Sequence, residues 1–209
     1  YGDARRTTIT QVAVTKEEKE IEFVEPEKCV VVMTEGGLIK RVPATSFRTQ
    51  KRNGKGVKTQ DDITSAVIRT NTIDSLMVFT DQGRMYRILV NDIPVGTNTT
   101  KGQSIRSLIA MEQNETPTLI YSIYRDTDAK YILFVTKNGM IKKTALNEFK
   151  VSRYSKPISC MKLKEDDTVV NAFVDKYKDC FIATSDSYSL WFSLDEVPVS
   201  GIKSSGVKS

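Results

Sequence analysis

The residues best suited to a chemical role form one short basic and glycine-rich segment. Closely spaced glycines let the backbone approach a phosphate chain, and the basic side chains neutralise several phosphates without reading bases. The same composition also suits an exposed hairpin loop that uses glycine for turns and lysine for solubility, so the segment alone leaves both interpretations open. It consists of Gln50, Lys51, Arg52, Asn53, Gly54, Lys55 and Gly56.

Positive charge is concentrated in two parts of the chain. The 209 residues carry a net charge of +5. Residues 36–60 hold seven basic residues and no acidic one, and residues 137–164 hold eight basic residues and one acidic one. A single charged run is usually a solvated face. Two separated runs of +7 favour binding to a polyanion, because cations that meet phosphates release condensed counterions.

Several classes of chemistry are disfavoured by what the sequence lacks. There is no histidine, which removes Ser-His and Cys-His nucleophiles and histidine metal ligands. Cys29, Cys160 and Cys180 have no CxxC spacing and lie in apolar runs, which predicts buried free thiols in a reducing cytoplasm. There is also no phosphate loop of the GxxxxGK[ST] type. We therefore expect no catalytic residue and no metal site, and an enzyme in its own right is the least favoured class.

No targeting or membrane segment is visible in the sequence. The longest uncharged stretches, such as residues 116–124, have nine residues, whereas a spanning helix needs roughly 20. The chain starts at Tyr1 without a secretory signal pattern, and a start without Met suggests a fragment or a processed product.

The basic segments lie within a unit that occurs four times. Each unit is an apolar run, a Thr-x-x-Gly turn and a second apolar or basic run. Short runs rich in β-branched and aromatic residues around such a turn predict β-hairpins. The turns start at Thr34, Thr80, Thr136 and Thr184, which are 46, 56 and 48 residues apart, and end at Gly37, Gly83, Gly139 and Ser187.

A second landmark follows each turn, made of a small, an apolar and a basic residue. The two landmarks keep the same order in units 29–58, 76–106, 131–162 and 180–208, with periods that suit propeller-like blades. We therefore predict an all-β array of about four repeats, with Trp191 and the other hairpin aromatics in the core; a β-sandwich with coincidental turns is the alternative. The second landmarks begin at Gly56, Ser104, Cys160 and Gly206.

The segment 50–56 resembles the gyrase A box, Q-R-R-G-G-R-G, of the C-terminal domains of DNA gyrase A subunits. Lys51 and Lys55 are conservative departures, and Asn53 replaces a glycine at a position where asparagine tolerates a turn. Residues 1–9 are similar to the F-G-D-x-R-R-T-x-I stretch that leads into that domain, and residues 34–41 to its first T-x-x-G-x-I-K-R hairpin. The resemblance covers nearly the whole chain.

The resemblance implies a β-pinwheel, a propeller relative whose four-stranded blades exchange strands. Residues 1–21 would be a lead-in linker and residues 22–209 a partial pinwheel that binds double-stranded DNA without sequence preference and wraps it chirally. The full-length protein would be a cytoplasmic, chromosome-associated component of an ATP-dependent type II topoisomerase that introduces negative supercoils. It would pair with a gyrase B-type subunit in an A2B2 assembly. ATP and magnesium would serve that enzyme, with no cofactor in this segment.

The residues predicted to contact DNA are basic or belong to the box. The box and its neighbour supply Arg48, Gln50, Lys51, Arg52, Asn53, Gly54, Lys55 and Gly56; positions after the hairpin turns supply Lys40, Arg41, Arg84, Arg87, Lys142 and Lys143; weaker candidates are Arg106, Lys156 and Lys162.

Two other functions fit the same repeats. The A-type subunit of topoisomerase IV also has a bladed C-terminal domain, but it generally lacks an intact box, so residues 50–56 favour gyrase. A propeller that binds protein is a different class, which the two +7 segments and the absence of Trp-Asp signatures disfavour.

Overall fold

The computed structural model describes residues 25–47, 62–122, 129–150 and 156–209. The described residues form strands joined by turns and short 3-10 segments, with no α-helix among them. The strands are β1 (Lys28–Thr34), β2 (Leu38–Pro43), β3 (Thr64–Asn71), β4 (Ser75–Thr80), β5 (Arg84–Leu89), β6 (Gln103–Ser104), β7 (Pro117–Tyr121), β8 (Tyr131–Thr136), β9 (Met140–Ala145), β10 (Ile158–Ser159), β11 (Val169–Val174), β12 (Asp179–Ala183), β13 (Ser189–Ser193) and β14 (Val207–Lys208).

Three of the four units are four-stranded antiparallel blades. Blade 1 has the strand order β3-β1-β2-β6, blade 2 has β10-β5-β4-β7, and blade 3 has β11-β8-β9-β14. The hairpin of each blade is one of the predicted Thr-x-x-Gly units. The all-β propeller-like fold predicted from the repeats is therefore confirmed.

The fourth strand of each blade comes from the next unit along the chain. β6 follows the hairpin of unit 2 but pairs with β2 of blade 1 through Leu38 and Ser104. In the same way β10 pairs with β5, and β14 pairs with β9. The second landmark thus corresponds to an exchanged strand, which connects each blade to its neighbour through backbone pairing.

The pairing corrects the alignment of these landmarks. Ser104 pairs with Leu38, Ser159 with Arg84 and Lys208 with Met140, and each partner directly follows the glycine of a turn. Gly102, Pro157 and Gly206 are therefore equivalent, whereas the sequence pattern aligned Ser104 with Cys160 and Gly206. Backbone pairing defines the register of the exchanged strands, whereas the pattern of side-chain types did not.

The cores lie between neighbouring blades. Because side chains alternate along a strand, Leu76 and Val78 of β4 pack toward blade 1, whereas Met77 and Phe79 pack toward blade 3. Strand β8 repeats this alternation between blade 2 and unit 4. A strand buried on both faces has a continuous apolar sequence, which explains the uninterrupted runs in the second and third units.

The turns show why glycine occupies the fourth position of the repeat. Gly37, Gly83 and Gly139 have φ between 64° and 75°, a conformation that glycine adopts without strain. Ser187 takes the same place in unit 4 with φ of 66°. The hairpin turn thus keeps one geometry in all four units, even where its residue type differs.

Unit 4 differs from the other three because its sheet contains only β12 and β13 in the described part of the chain. Phe181 and Trp191, which pair across this hairpin, are 64% and 73% exposed. The expectation that Trp191 lies in the core is wrong, although Phe79 and Phe134 are fully buried as expected. Cys180 is half-buried, whereas Cys29 and Cys160 are buried.

Candidate nucleic-acid interface

The basic and glycine-rich segment lies outside the described residues, so its role stays a prediction from sequence. This applies to Arg48, Gln50, Lys51, Arg52, Asn53, Gly54, Lys55 and Gly56. The predicted domain boundary at residue 21 also lies outside the described part, in which the first strand begins at Lys28.

Three lysines that were expected to face DNA point their amines into the protein. Lys40 is 6% exposed and Lys142 is fully buried; Lys143 is 7% exposed. Lys142 Nζ donates to the carbonyl oxygens of Cys160 and Ile202 at 2.7 and 2.8 Å, and Lys143 Nζ donates to that of Leu194 at 2.9 Å. Their DNA contact stays untested, but the premise of an exposed amine is not met.

Burial changes the acid–base behaviour of two of these lysines, Lys142 and Lys40. Burial lowers the pKa of Lys142 to about 8, against a smaller opposing effect of the Cys160 and Glu148 charges. Burial also lowers the pKa of Lys40. An amine that is buried and bound to carbonyl oxygens is poorly placed to bind phosphate, so these lysines are weaker candidates for DNA contact than the exposed basic residues.

Two arginines that follow hairpin turns are half-buried and hold backbone or side-chain partners. Arg41 Nε donates to the carbonyl oxygen of Ile93 at 2.9 Å, and Arg87 Nη2 donates to Ser75 Oγ at 3.0 Å. Arg41 also forms a parallel bridge with Val95. Both arginines therefore join elements of the fold, which limits how far their guanidinium groups can turn outward.

The structure brings together two arginines that the sequence placed in different landmarks. Arg84 follows the turn of blade 2 and forms an ion pair with Glu112. Arg106 follows β6 and donates to the carbonyl oxygens of Glu112 and Glu115, the latter at 2.7 Å. Both guanidinium groups thus hold the same turn, which we name the 112–115 turn.

Glu115 fixes that turn from inside. Its carboxylate is fully buried and accepts hydrogen bonds from Thr80 Oγ1 at 2.5 Å, from Tyr86 Oη at 2.7 Å and from the Glu112 amide at 3.2 Å. Burial, followed by the hydrogen bond to Glu115, raises the pKa of Tyr86 to about 12. Hydrogen bonds to Glu112 and Tyr86 raise the pKa of Arg84, so its guanidinium stays charged.

Exposed cations recur beside the exchanged strands. Arg106 follows β6, Lys156 and Lys162 flank β10, and Lys208 belongs to β14. Each of these strands pairs next to a hairpin turn. The pattern places exposed positive charge at the same edge of blades 1, 2 and 3.

Two features of this edge were not found from the sequence. The first is the segment that lies along the preceding blade, Ile93-Pro94-Val95-Gly96 and Val197-Pro198-Val199-Ser200-Gly201. Its repeated Pro-Val pair was a signal that could have found it. The second is the acidic pair Glu112 and Glu115. Glu115 has a buried acidic counterpart in Asp167 of unit 3, whereas the residue there that corresponds to Glu112 is Lys164.

The described residues contain no group of three His, Cys, Asp or Glu side chains placed to hold a metal ion. Among them there is also no helix long and apolar enough to cross a membrane.

Comparison with known proteins shows similarity along the four units. The family model described as "DNA gyrase C-terminal domain, beta-propeller" matches residues 30–65, 74–113, 130–174 and 178–209. The DNA gyrase A subunit of Mycobacterium tuberculosis (strain H37Rv) is 34% identical over 198 residues, which are 92% of this chain and 23% of that protein. The corresponding protein of Streptococcus pyogenes serotype M1 is 35% identical over 199 residues, 92% and 24% of the two chains. The chain therefore spans about a quarter of the length of these relatives.

Solved structures agree with this comparison. The C-terminal domain of DNA topoisomerase IV superposes with a TM-score of 0.77 at 35% identity, over 88% of this chain and 57% of that one. A DNA gyrase A C-terminal domain superposes with a TM-score of 0.60 over 88% of this chain and 60% of that one. At 24% identity the second match supports the fold alone.

Proposed function

This chain belongs to the family of DNA gyrase C-terminal domains, and from that premise we propose that it binds double-stranded DNA without sequence preference and wraps it around its basic edge. The observation that carries the proposal is the recurrence of exposed Arg106, Lys156, Lys162 and Lys208 beside the exchanged strands of consecutive blades. Cations repeated along an edge meet the repeated phosphates of a duplex, and phosphate contacts position DNA without reading its sequence.

Wrapping requires many such contacts. Bending a duplex over a short path costs of the order of several kcal/mol, which distributed phosphate contacts must offset. The segment with Lys51, Arg52 and Lys55 adds further charge close to blade 1 in the sequence. We propose that this segment and the edge form one continuous path for DNA.

We further propose that the longer protein is part of a cytoplasmic, ATP-dependent type II DNA topoisomerase. The relatives that are DNA gyrase A subunits support this proposal, since they match over 92% of the chain. In that protein a separate catalytic core would cut and pass DNA, using ATP and magnesium with two B-type subunits. The present domain would contribute the sign of the wrap and no cofactor.

A topoisomerase IV A-type subunit is the second candidate. It is favoured by the 35% identity and the TM-score of 0.77 to the C-terminal domain of DNA topoisomerase IV. The box-like residues 50–56 favour gyrase instead. Chirality of wrapping separates the two, because a right-handed wrap supports negative supercoiling.

The test is topological. The chain is bound to nicked circular DNA, the nick is ligated, the protein is removed and the linking number is read on a gel. We expect a positive shift that grows with protein concentration. If the chain binds DNA in a gel-shift control but the linking number does not change, wrapping is overturned and the topoisomerase IV assignment is favoured.

The box is tested in the same preparation. The triple variant Lys51→Ala, Arg52→Ala, Lys55→Ala should flatten the log–log dependence of DNA affinity on salt by up to about 0.9 per lost phosphate contact. An unchanged slope would remove the box from the path, and a preference above about a hundredfold for one scrambled duplex over another would contradict backbone-led binding.

A further inference from the structure

The 112–115 turn places the carboxylate of Glu112 against Arg84, an arginine of the proposed DNA edge. Arg84 lies directly after the turn of blade 2, and its guanidinium pairs with the Glu112 carboxylate. The Arg84 side chain is 35% exposed and that of Glu112 is 55% exposed, so the pair lies at the surface. A carboxylate and a phosphate oxygen are alternative partners for the same guanidinium fork.

We propose that the Glu112 carboxylate occupies a phosphate-binding position of Arg84 and Arg106, and that the DNA backbone displaces it when DNA binds. The proposal rests on the proposed DNA-binding function and adds to it a specific site with a built-in competitor. Its ligand is a backbone phosphate of duplex DNA.

The two glutamates of the turn differ in how firmly they are held. Glu115 is fully buried and has three hydrogen-bond donors besides its distant pairing with Arg84, whose atoms lie 3.9 Å apart. Glu112 is the exposed member, and among the described residues its ion-pair partner is Arg84. Exposed ion pairs contribute little stability, so Glu112 can leave Arg84 at small cost while Glu115 keeps the turn in place.

The charge of the site changes when Glu112 leaves. Arg84 and Arg106 carry two positive charges, which Glu112 and Glu115 balance. Displacement of Glu112 leaves a net positive site at the surface. The carboxylate therefore masks the site in the free protein, and a phosphate restores its neutrality in the complex.

Arg106 is placed to share the incoming phosphate. Its side chain is exposed, and two of its N–H groups donate to the carbonyl oxygens of Glu112 and Glu115. A guanidinium has five N–H donors, so donors remain for an external oxygen. Because these bonds go to the backbone of the turn, Arg106 can stay in position after the Glu112 side chain has moved.

The test measures affinity of the whole chain for a short duplex between about 50 and 200 mM salt. Glu112→Gln should tighten binding about threefold or more at low salt with little change in the salt slope, because the phosphate contact of Arg84 forms in both proteins and the variant only lacks the competing carboxylate. Glu112→Ala should behave in the same way, which guards against a new contact made by the amide. Thermal unfolding of each variant confirms that it folds.

Glu35→Gln is the matched control. Glu35 is an exposed carboxylate in the β1–β2 turn for which the described part of the chain shows no ion pair. It reports the effect of losing one negative charge from a hairpin turn. The double variant Arg84→Gln, Glu112→Gln is compared with Arg84→Gln alone. The gain in DNA affinity from Glu112→Gln should vanish when Arg84 is absent.

The outcomes separate this proposal from the one on which it rests. A wild-type chain that fails to bind the duplex overturns DNA binding and the masked site together. A wild-type chain that binds, with Glu112→Gln no tighter than Glu35→Gln, overturns only the masked site. A gain that persists with Arg84→Gln also overturns it, because the carboxylate then acts through the general field.

Discussion

Lys40 and Lys142 occupy the same place in two blades, three residues after the glycine of the hairpin turn, and both donate to the backbone of the unit that follows. Lys40 Nζ lies 3.0 Å from the carbonyl oxygen of Thr97, and Lys142 Nζ lies 2.8 Å from that of Ile202. Thr97 and Ile202 each follow the glycine that ends the Pro-Val segment. The lysine of the Ile-Lys pattern therefore ties a blade to its successor.

Substitution of these lysines should weaken the fold and leave the phosphate contacts intact. Lys142→Met keeps the aliphatic volume but leaves the carbonyl oxygens of Cys160 and Ile202 without their donor. We expect a loss of about 1–3 kcal/mol in the free energy of unfolding, read by chemical denaturation. The salt slope of DNA binding should not change.

Exposed Lys162 is the control for that variant. Lys162→Met should leave stability within about 0.5 kcal/mol, as surface substitutions usually do, and should flatten the salt slope. If Lys142→Met flattened the slope and spared stability, Lys142 would be a DNA ligand after all, as its sequence position suggests.

Lys142 also predicts how stability depends on pH. Its pKa is about 8 in the folded chain and 10.5 when unperturbed. Between these values the unfolded chain holds a proton that the folded chain has released, so the Lys142 contribution to stability rises with pH. Below pH 8 both states are protonated and this contribution is constant.

The measurement compares wild type with Lys142→Met from about pH 7 to 10. Stability of the wild type should rise relative to the variant above pH 8, and the difference cancels other titrating groups. A relative fall over this range would show that the carbonyl oxygens of Cys160 and Ile202 stabilise the charged amine more than burial penalises it.

Particular residues show how far the sequence determines this structure. The hairpins could be predicted from their turn residues and from the apolar runs around them. A positive φ favours glycine, as at Gly37, Gly83 and Gly139, and burial on both faces requires an uninterrupted apolar run. The direction of the Lys142 amine could not be predicted in this way. A lysine after a turn can bind buried carbonyl oxygens or face water, and the residue type is the same in both cases. Clustering of Arg84 with Arg106 depends on the 112–115 turn, which contacts both guanidinium groups although the two arginines belong to different landmarks of their unit.

Glycines that precede the exchanged strands should tolerate no side chain. A Cβ on Gly206, where φ is 79°, would overlap the carbonyl oxygen of Ile141, and one on Gly102 would lie 2.6 Å from that of Ile39. Gly206→Ala and Gly102→Ala should each cost about 1–3 kcal/mol or more by loss of the fourth strand. Chemical denaturation measures this cost.

Gly201→Ala is the comparison for the glycine variants. A Cβ there would meet its nearest atom, Glu148 Oε2, at 3.8 Å, an ordinary contact. It should therefore change stability by less than about 0.5 kcal/mol. Gly→Ala restricts the unfolded chain, which by itself stabilises a protein, so equal losses at Gly201 and Gly206 would contradict the close backbone approach at the exchanged strand as the cause.

Phe149 should be among the most costly core residues to remove, because it joins two blades. Its ring lies 5.4 Å from that of Phe79 in blade 2 and 6.2 Å from that of Phe134 in blade 3, with edge-to-face geometry. Phe149→Ala should cost about 3–5 kcal/mol, since a cavity would open between fully buried rings. Phe47 is half-exposed, so Phe47→Ala is the control and should cost much less.

In a stacked array each unit is stabilised by its neighbours, so Phe149→Ala should also broaden the unfolding transition followed by circular dichroism. A loss below about 1 kcal/mol with an unchanged transition would mean that blades 2 and 3 do not depend on this seam.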